Sequence, residues 1–186
     1  MEIEYIESNN YRLLQPMLEK AYKHNQFMIV IGDSGWGKSW NFKVFGQKMD
    51  NVYRSEISST MDTNILFKEI LKRFKKRDRA SNRLFYAIQN VSKVVKDLKS
   101  KSMYIIDEAG HFKMSMQRHI RDFRELTKDH SALVISGPYS FYDDLERYAE
   151  NNRFGIKEIL SRVNRWVFLE KPSKEEMIGV FKVNGF

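Results

Sequence analysis

Two rhythms of apolar residues alternate along this chain. Residues 27–31, 103–106, 132–136 and 166–169 are short, nearly continuous apolar runs, and 52–57 is a more mixed one. Runs of this length, apolar at successive positions, predict strands covered on both faces. Between them the spacing changes to a helical period. Residues 11–25 carry Leu13, Leu14, Met17, Leu18, Ala21 and Tyr22 on one face, with Pro16 expected near the helix start. Residues 63–76 repeat through Ile65, Leu66, Ile70 and Phe74, and 83–99 through Leu84, Ile88, Val91, Val95 and Leu98. Further helices are predicted over 38–48, 114–128, 142–149 and 157–161. Strands alternating with amphipathic helices predict an α/β fold, a parallel sheet with helices on both faces.

Composition narrows the class. A chain of 186 residues that is 42% hydrophobic suits one domain with a substantial core. No apolar run approaches membrane-spanning length, and the acidic start Met1-Glu2-Ile3-Glu4 is unlike a signal peptide, so a cytoplasmic location is expected. The absence of cysteine excludes disulfides and thiolate metal sites. A net charge of +8 points to a polyanionic partner, most often nucleic acid.

The first apolar run leads directly into Gly32-Asp33-Ser34-Gly35-Trp36-Gly37-Lys38-Ser39. This is the G-x-x-x-x-G-K-[ST] spacing of a phosphate-binding loop, set between a strand and a helix as that loop requires. Glycines let successive backbone N–H groups turn inward as an anion nest, and the following helix adds its positive N-terminal end. Lys38 is placed to reach the β- and γ-phosphates of ATP, and the Ser39 hydroxyl to ligate Mg²⁺.

The third run ends in Asp107-Glu108. An apolar strand that delivers an acid at its C-terminal end puts it in the crevice where open α/β sheets bind ligands. Asp107 is placed for the Mg²⁺ shell, and Glu108 for polarising the water that attacks the γ-phosphate. An Asp-Glu pair at a strand end is unremarkable alone; the loop upstream gives it weight. The strand expected at 52–57 fits ATPases in which the strands bearing the two motifs are not neighbours.

Together, Gly32–Ser39, the run Asp107-Glu108-Ala109-Gly110-His111, Ser136-Gly137 and Ser161-Arg162-Val163 resemble an AAA+ P-loop ATPase, and more narrowly the DNA-transposition ATPases of the MuB, TnsC and TniB type. The resemblance implies a sensor role for Ser136, although a strand-terminal serine satisfying the backbone is the competing reading. It implies that Arg162 is an arginine finger acting on ATP held by a neighbouring subunit, with Arg165 as competitor. Trp36 is bulky for this loop and is expected to cover the nucleotide or meet a partner subunit. His111 matches a family histidine but receives no catalytic role. Ser173-Lys174-Glu175-Glu176 reads as a capping box, so residues 1–171 are expected to form the nucleotide-binding domain and 172–186 the start of a truncated or minimal lid.

Basic residues cluster at Lys72, Arg73, Lys75, Lys76, Arg77 and Arg79, followed by Lys93, Lys96, Lys99 and Lys101. Lys113, Arg118, His119, Arg121 and Arg124 form a second group. In AAA+ rings the elements after the second and third strands line the central channel. The run 72–79 is therefore expected to bind nucleic-acid phosphates with little base specificity. The expected protein is an ATP- and Mg²⁺-dependent AAA+ ATPase that forms a ring or filament on double-stranded DNA and recruits or regulates a transposase. A helicase loader, or a low-turnover nucleotide-dependent scaffold, is the alternative.

Overall fold

A computed structural model describes residues 7–73, 84–98, 100–153 and 155–183. The chain runs α1 (Asn9–Lys23), β1 (Phe27–Ile31), α2 (Lys38–Lys48), β2 (Val52–Glu56), α3 (Thr63–Arg73), α4 (Leu84–Asp97), β3 (Ser102–Asp107), a 3₁₀ turn (Ala109–His111), α5 (Met114–Thr127), β4 (Ser131–Gly137), α6 (Tyr139–Glu150), α7 (Ile156–Leu160), β5 (Arg165–Phe168) and α8 (Lys174–Val183). The five strands form one sheet in the order β2-β3-β4-β1-β5, and every pairing is parallel.

Strand alternation divides the core into two layers. Phe27, Ile29 and Ile31 face one side with Tyr104, Ile106, Leu133 and Ile135, under Phe67 and Ile70 of α3, Val91 of α4, Phe123 of α5 and Phe141 of α6. Met28 and Val30 face the other side with Met103, Ile105 and Val134, under Leu14 and Leu18 of α1 and Phe42 and Phe45 of α2. Both faces of β1, β3 and β4 are thus covered, which is why their sequences read as unbroken apolar runs. Strand β2 lies at an edge and is only half-buried over Val52–Arg54, matching its mixed composition.

The strands carrying Lys38's loop and Asp107 are indeed not neighbours. The strand between them is β4, however, and β2, inserted between them in sequence, takes the outer edge beside β3. After β1 the chain crosses to the far edge and then fills inward. This order places β1 and β4 side by side with Ile31 opposite Gly137, and β3 beside β4 with Ile106 opposite Ile135.

Several boundaries differ from the sequence expectation. Helix α1 starts at Asn9, where the Ser8 hydroxyl accepts from Tyr11 N at 3.1 Å, so Pro16 sits in its middle rather than near its start. The proline removes one backbone donor from the helical ladder, and burial of Leu14, Leu18 and Ala21 holds the helix through it. Helix α6 begins at Tyr139 instead of 142, because Asp33 Oδ1 accepts from Tyr139 N at 3.2 Å and places a carboxylate at the helix N-terminus. Helix α3 is described as far as Arg73, and the rest of its expected span lies outside the described residues. Among the described residues, no helix is long and apolar enough to cross a membrane.

Arg124 departs from the basic surface assigned to it. It is buried, and its guanidinium donates to Ser131 O at 2.8 Å and Asn25 O at 2.6 Å. Burial pulls its pKa down to about 10. The residue joins α5 to the entrances of β1 and β4 and offers nothing to an external phosphate. Helical spacing explains the difference, since Ile120, Phe123 and Thr127 put this side of α5 against the sheet.

Candidate nucleotide site

The loop after β1 gets its shape from backbone conformations that glycine adopts freely. Gly35 and Gly37 have φ of 80° and 87°, a region in which a side chain strains the backbone. Gly37 then opens α2, and the first α2 residue is Lys38. Its ammonium is buried and donates to Gly32 O and, at 2.9 Å, to Asp33 O. Burial pulls the Lys38 pKa below the ordinary lysine value, while Glu108, Asp107 and Asp33 act in the opposite direction. A cation held inside the loop by carbonyls alone is poised for exchange with a stronger, anionic acceptor such as phosphate.

Asp107 is the hub of the site. It has no solvent exposure and receives donors from four residues, three of them on other elements and the fourth its own neighbour Glu108. Ser39 Oγ of α2 donates to Oδ2 at 2.7 Å, and Arg54 of β2 reaches the same oxygen through Nη2 at 2.7 Å and Nε at 3.1 Å. On the other oxygen, Oδ1 accepts from Ser136 Oγ of β4 and from Glu108 N at 3.0 Å. The sheet order explains the convergence. Asp107 and Ser136 each follow a paired residue, Ile106 and Ile135, and point to the α2 side of the sheet.

Glu108 follows β3 directly and lies in the left-handed region, with φ 58° and ψ 42°. Such a conformation costs a non-glycine residue about 1–2 kcal/mol, and strain of this kind concentrates at functional sites. The kink turns the chain out of the strand, while the Glu108 amide stays on Asp107.

The site brings together Lys38, Ser39, Asp107, Glu108 and Ser136, with Gly32, Asp33, Ser34, Gly35, Trp36 and Gly37 as the loop around them. A hydroxyl and a carboxylate oxygen 2.7 Å apart beside an anion-binding loop suit Mg²⁺, which takes hard oxygen ligands and usually adds those of the phosphates. Trp36 is half-buried and meets Tyr139 edge to face at 5.8 Å. The ring packs against the core layer under α1 and α2 of its own chain, and the Trp36 backbone carbonyl accepts from Asn10 Nδ2 at 3.1 Å.

Arg162 lies apart from this cluster. It follows α7, and its guanidinium donates to Glu125 on α5 and to the Glu158 carbonyl. Hydrogen bonding from Arg162 and then Lys128 holds the Glu125 carboxyl below the usual range. Its competitor Arg165 opens β5 opposite Met28, near the start of β1 and away from the phosphate-loop end of that strand. Lys72 and Arg73 sit at the exposed end of α3, with Lys72 paired to Glu69. Lys75, Lys76, Arg77 and Arg79, and with them most of the basic run, lie outside the described residues.

Sequence reasoning missed Arg54 and Asn10. Asn10 is buried and clamps the loop to the end of β5, donating to Glu170 O at 2.7 Å and accepting from Glu170 N at 3.0 Å. An arginine between Tyr53 and Ser55 in a mixed strand was the available signal for the first. No motif marked the second.

Residues 20–145 match the AAA domain family. The chain belongs to that family. An AAA domain implies a nucleotide-binding domain, in agreement with the loop and the acidic strand end described above. The fold is shared with the Orc1 protein of Aeropyrum pernix, solved in complex with DNA, at a TM-score of 0.71 and 12% identity over 98% of this chain and 50% of that one. Cdc6p of Pyrobaculum aerophilum gives a TM-score of 0.70 at 11% identity, again over 98% of this chain and 50% of that one. A chain of Drosophila ORC bound to DNA gives 0.61 at 11% identity, over 90% of this chain and 95% of that one. The AAA chain thus spans about half the length of the archaeal proteins it resembles. No curated protein sequence matches it.

Lys38→Ala is expected to lower the affinity for an ATP analogue by about a hundredfold, the effect of losing one or two charged hydrogen bonds to phosphate. Equilibrium titration with a fluorescent analogue measures it, and a loss under threefold would remove Lys38 from the phosphate site.

Proposed function

We propose that this AAA domain binds and hydrolyses ATP with Mg²⁺ and couples that cycle to assembly on DNA. The observation that carries the reading is the convergence of Lys38, Ser39, Asp107, Glu108 and Ser136 at one end of the sheet. In this reading the loop amides and Lys38 bind the phosphates, while Ser39 and Asp107 hold Mg²⁺, which neutralises charge developing on the transferred phosphoryl group. Glu108 orients the attacking water and accepts its proton, and Ser136 fixes the Asp107 carboxylate. Residues 1–171 then form the nucleotide-binding unit and 172–186 begin the lid. The capping box at its entrance supports that division, since Ser173 N donates to Glu176 Oε2 at 2.8 Å and Glu176 N to Ser173 Oγ at 3.1 Å.

The net charge of +8 and the DNA-bound proteins of like fold favour DNA as the polymer. The motif resemblance to transposition ATPases suggests a transposase as the recruited partner. A helicase loader uses the same chemistry with a different partner, and a low-turnover scaffold would bind ATP without the Glu108 step. ATP turnover of the purified protein, with and without duplex DNA, tests the core of the reading. Stimulation by DNA is expected; nucleotide binding without turnover in either condition favours the scaffold.

Replacing Lys75, Lys76 and Arg77 together with Ala is expected to weaken DNA binding to all sequences alike. The log-log salt slope should flatten by about 2–3 as those phosphate contacts are lost. Fluorescence anisotropy over a salt series, with ATP analogue present, measures this, and an unchanged slope places the DNA contact elsewhere.

A further inference from the structure

Arg54 lies on the edge strand β2, yet its guanidinium reaches inward to the buried carboxylate of Asp107. Both Nη2, at 2.7 Å, and Nε, at 3.1 Å, point at Oδ2. That oxygen also accepts the Ser39 hydroxyl at 2.7 Å. Oδ1 is taken by Ser136 and by the Glu108 amide. A carboxylate with no solvent exposure needs a compensating charge within the fold, and in this site Arg54 supplies it.

Oδ2 is also the oxygen that faces Ser39, hence the one a metal shared by Ser39 and Asp107 would engage. A guanidinium and a divalent cation cannot both sit against one oxygen without strong repulsion. Arg54 has a second acceptor within reach. Glu56 lies two residues further along β2, on the same side of the strand, and its Oε2 is 3.4 Å from Arg54 Nη2. The two berths differ sharply, since the Glu56 side chain is 64% exposed and that of Asp107 is 0% exposed, with Arg54 between them at 30%. The guanidinium therefore stands at the mouth of the site, with an inner partner and an outer one.

We propose that Arg54 is the resident counter-cation of the site, balancing Asp107 until Mg²⁺ enters with nucleotide and then moving out to Glu56. The inference rests on the reading of Ser39 and Asp107 as the Mg²⁺ holders, and assigns to Arg54 the setting of the Mg²⁺ dependence. Arg54 does not touch the reacting atoms; it is a positioning residue that acts through Asp107. Two consequences follow, with opposite signs. Without Arg54, the Asp107 carboxylate loses its directly paired cation, so in metal-free conditions it repels the phosphates more strongly, and Mg²⁺ no longer has a competitor at Oδ2. Without Glu56, the displaced guanidinium loses its outer berth, and Mg²⁺ entry becomes harder.

The test is binding of a fluorescent ATP analogue to the full chain, in EDTA and across a Mg²⁺ series. Wild type, Arg54→Gln and Glu56→Gln are compared, each checked by thermal melting. In Arg54→Gln the ratio of affinity with Mg²⁺ to affinity in EDTA is expected to rise about tenfold, the scale of one hydrogen bond to a charged group. Its half-saturating Mg²⁺ concentration should fall. In Glu56→Gln the half-saturating Mg²⁺ concentration should rise about two- to fivefold, since an exposed pair is weaker. If Arg54→Gln fails to fold, the exposed Glu56→Gln variant decides alone. An unchanged Mg²⁺ dependence in every variant that folds would overturn the proposal while leaving nucleotide binding intact. Failure of the wild type to bind the analogue in any condition would instead overturn the nucleotide reading beneath it.

Discussion

Arg162→Ala is expected to lower ATP turnover by about 10³–10⁵, the range associated with an arginine finger, while ATP binding stays at the wild-type level. Within its own chain Arg162 pairs with Glu125 and the Glu158 carbonyl, and the two side chains are 34% and 39% exposed. A surface pair of this kind contributes about 0–1 kcal/mol to stability, so the variant should fold. A large loss of turnover would then report on catalysis. Action across a subunit boundary has its own signature. Mixing Arg162→Ala with Lys38→Ala pairs an intact nucleotide site with an intact finger, and partial recovery of turnover is expected. Absence of recovery at any ratio, with co-assembly confirmed by native mass spectrometry, would remove the trans role. Turnover of Arg162→Ala within threefold of wild type would remove the finger altogether and leave the Glu125 pair as its whole function.

Glu108→Gln is expected to lower turnover by about 10²–10⁴, the range for loss of a general base, with ATP affinity retained. The amide is isosteric and keeps the backbone amide on Asp107, but it cannot accept a proton from water. The expected product is an ATP-loaded protein held in its assembled state, visible as an increase in mass by size-exclusion chromatography with light scattering. If Glu108→Gln and Lys38→Ala lose ATP affinity equally, Glu108 is a binding residue and not the one that orients water. Backbone strain provides an internal check. Glu108 is left-handed at φ 58°, so Glu108→Gly should stabilise the fold by about 1 kcal/mol while losing turnover as Gln does. Stability gained with activity lost is the mark of a conformation kept for function.

Much of the site was legible because its chemistry is local. Gly32–Ser39 is contiguous, and its glycine spacing encodes a backbone shape that few other residues allow. Asp107 and Glu108 could be found because their apolar strand follows a phosphate-loop motif; the acidic pair alone would not have marked a site. Ser136 was marked only by the motif resemblance; it is the β3–β4 pairing that brings it to Asp107. Arg124 was misplaced because charge was read without helical phase: the residue shares a face with Ile120 and Thr127 and is buried with them. Pro16 was misplaced because a helix start was inferred from the first apolar residue, whereas the Ser8 cap begins the helix earlier.

Local order along the chain was therefore enough for the element types, the α/β class and the phosphate loop. Each depends on residues close in sequence, through periodicity, glycine content or the polarity of a strand end. Strand order was not local. That β4, and not β2, separates the two motif strands depends on which edges pair, and apolar runs buried on both faces carry little information about their neighbours. The same holds for the contacts that tune the site. Arg54 and Asp107 are 53 residues apart, and Asn10 and Glu170 are 160 apart. Their meeting is a product of the folded sheet, because a hydrogen bond between distant residues leaves no periodic trace in the chain that makes it.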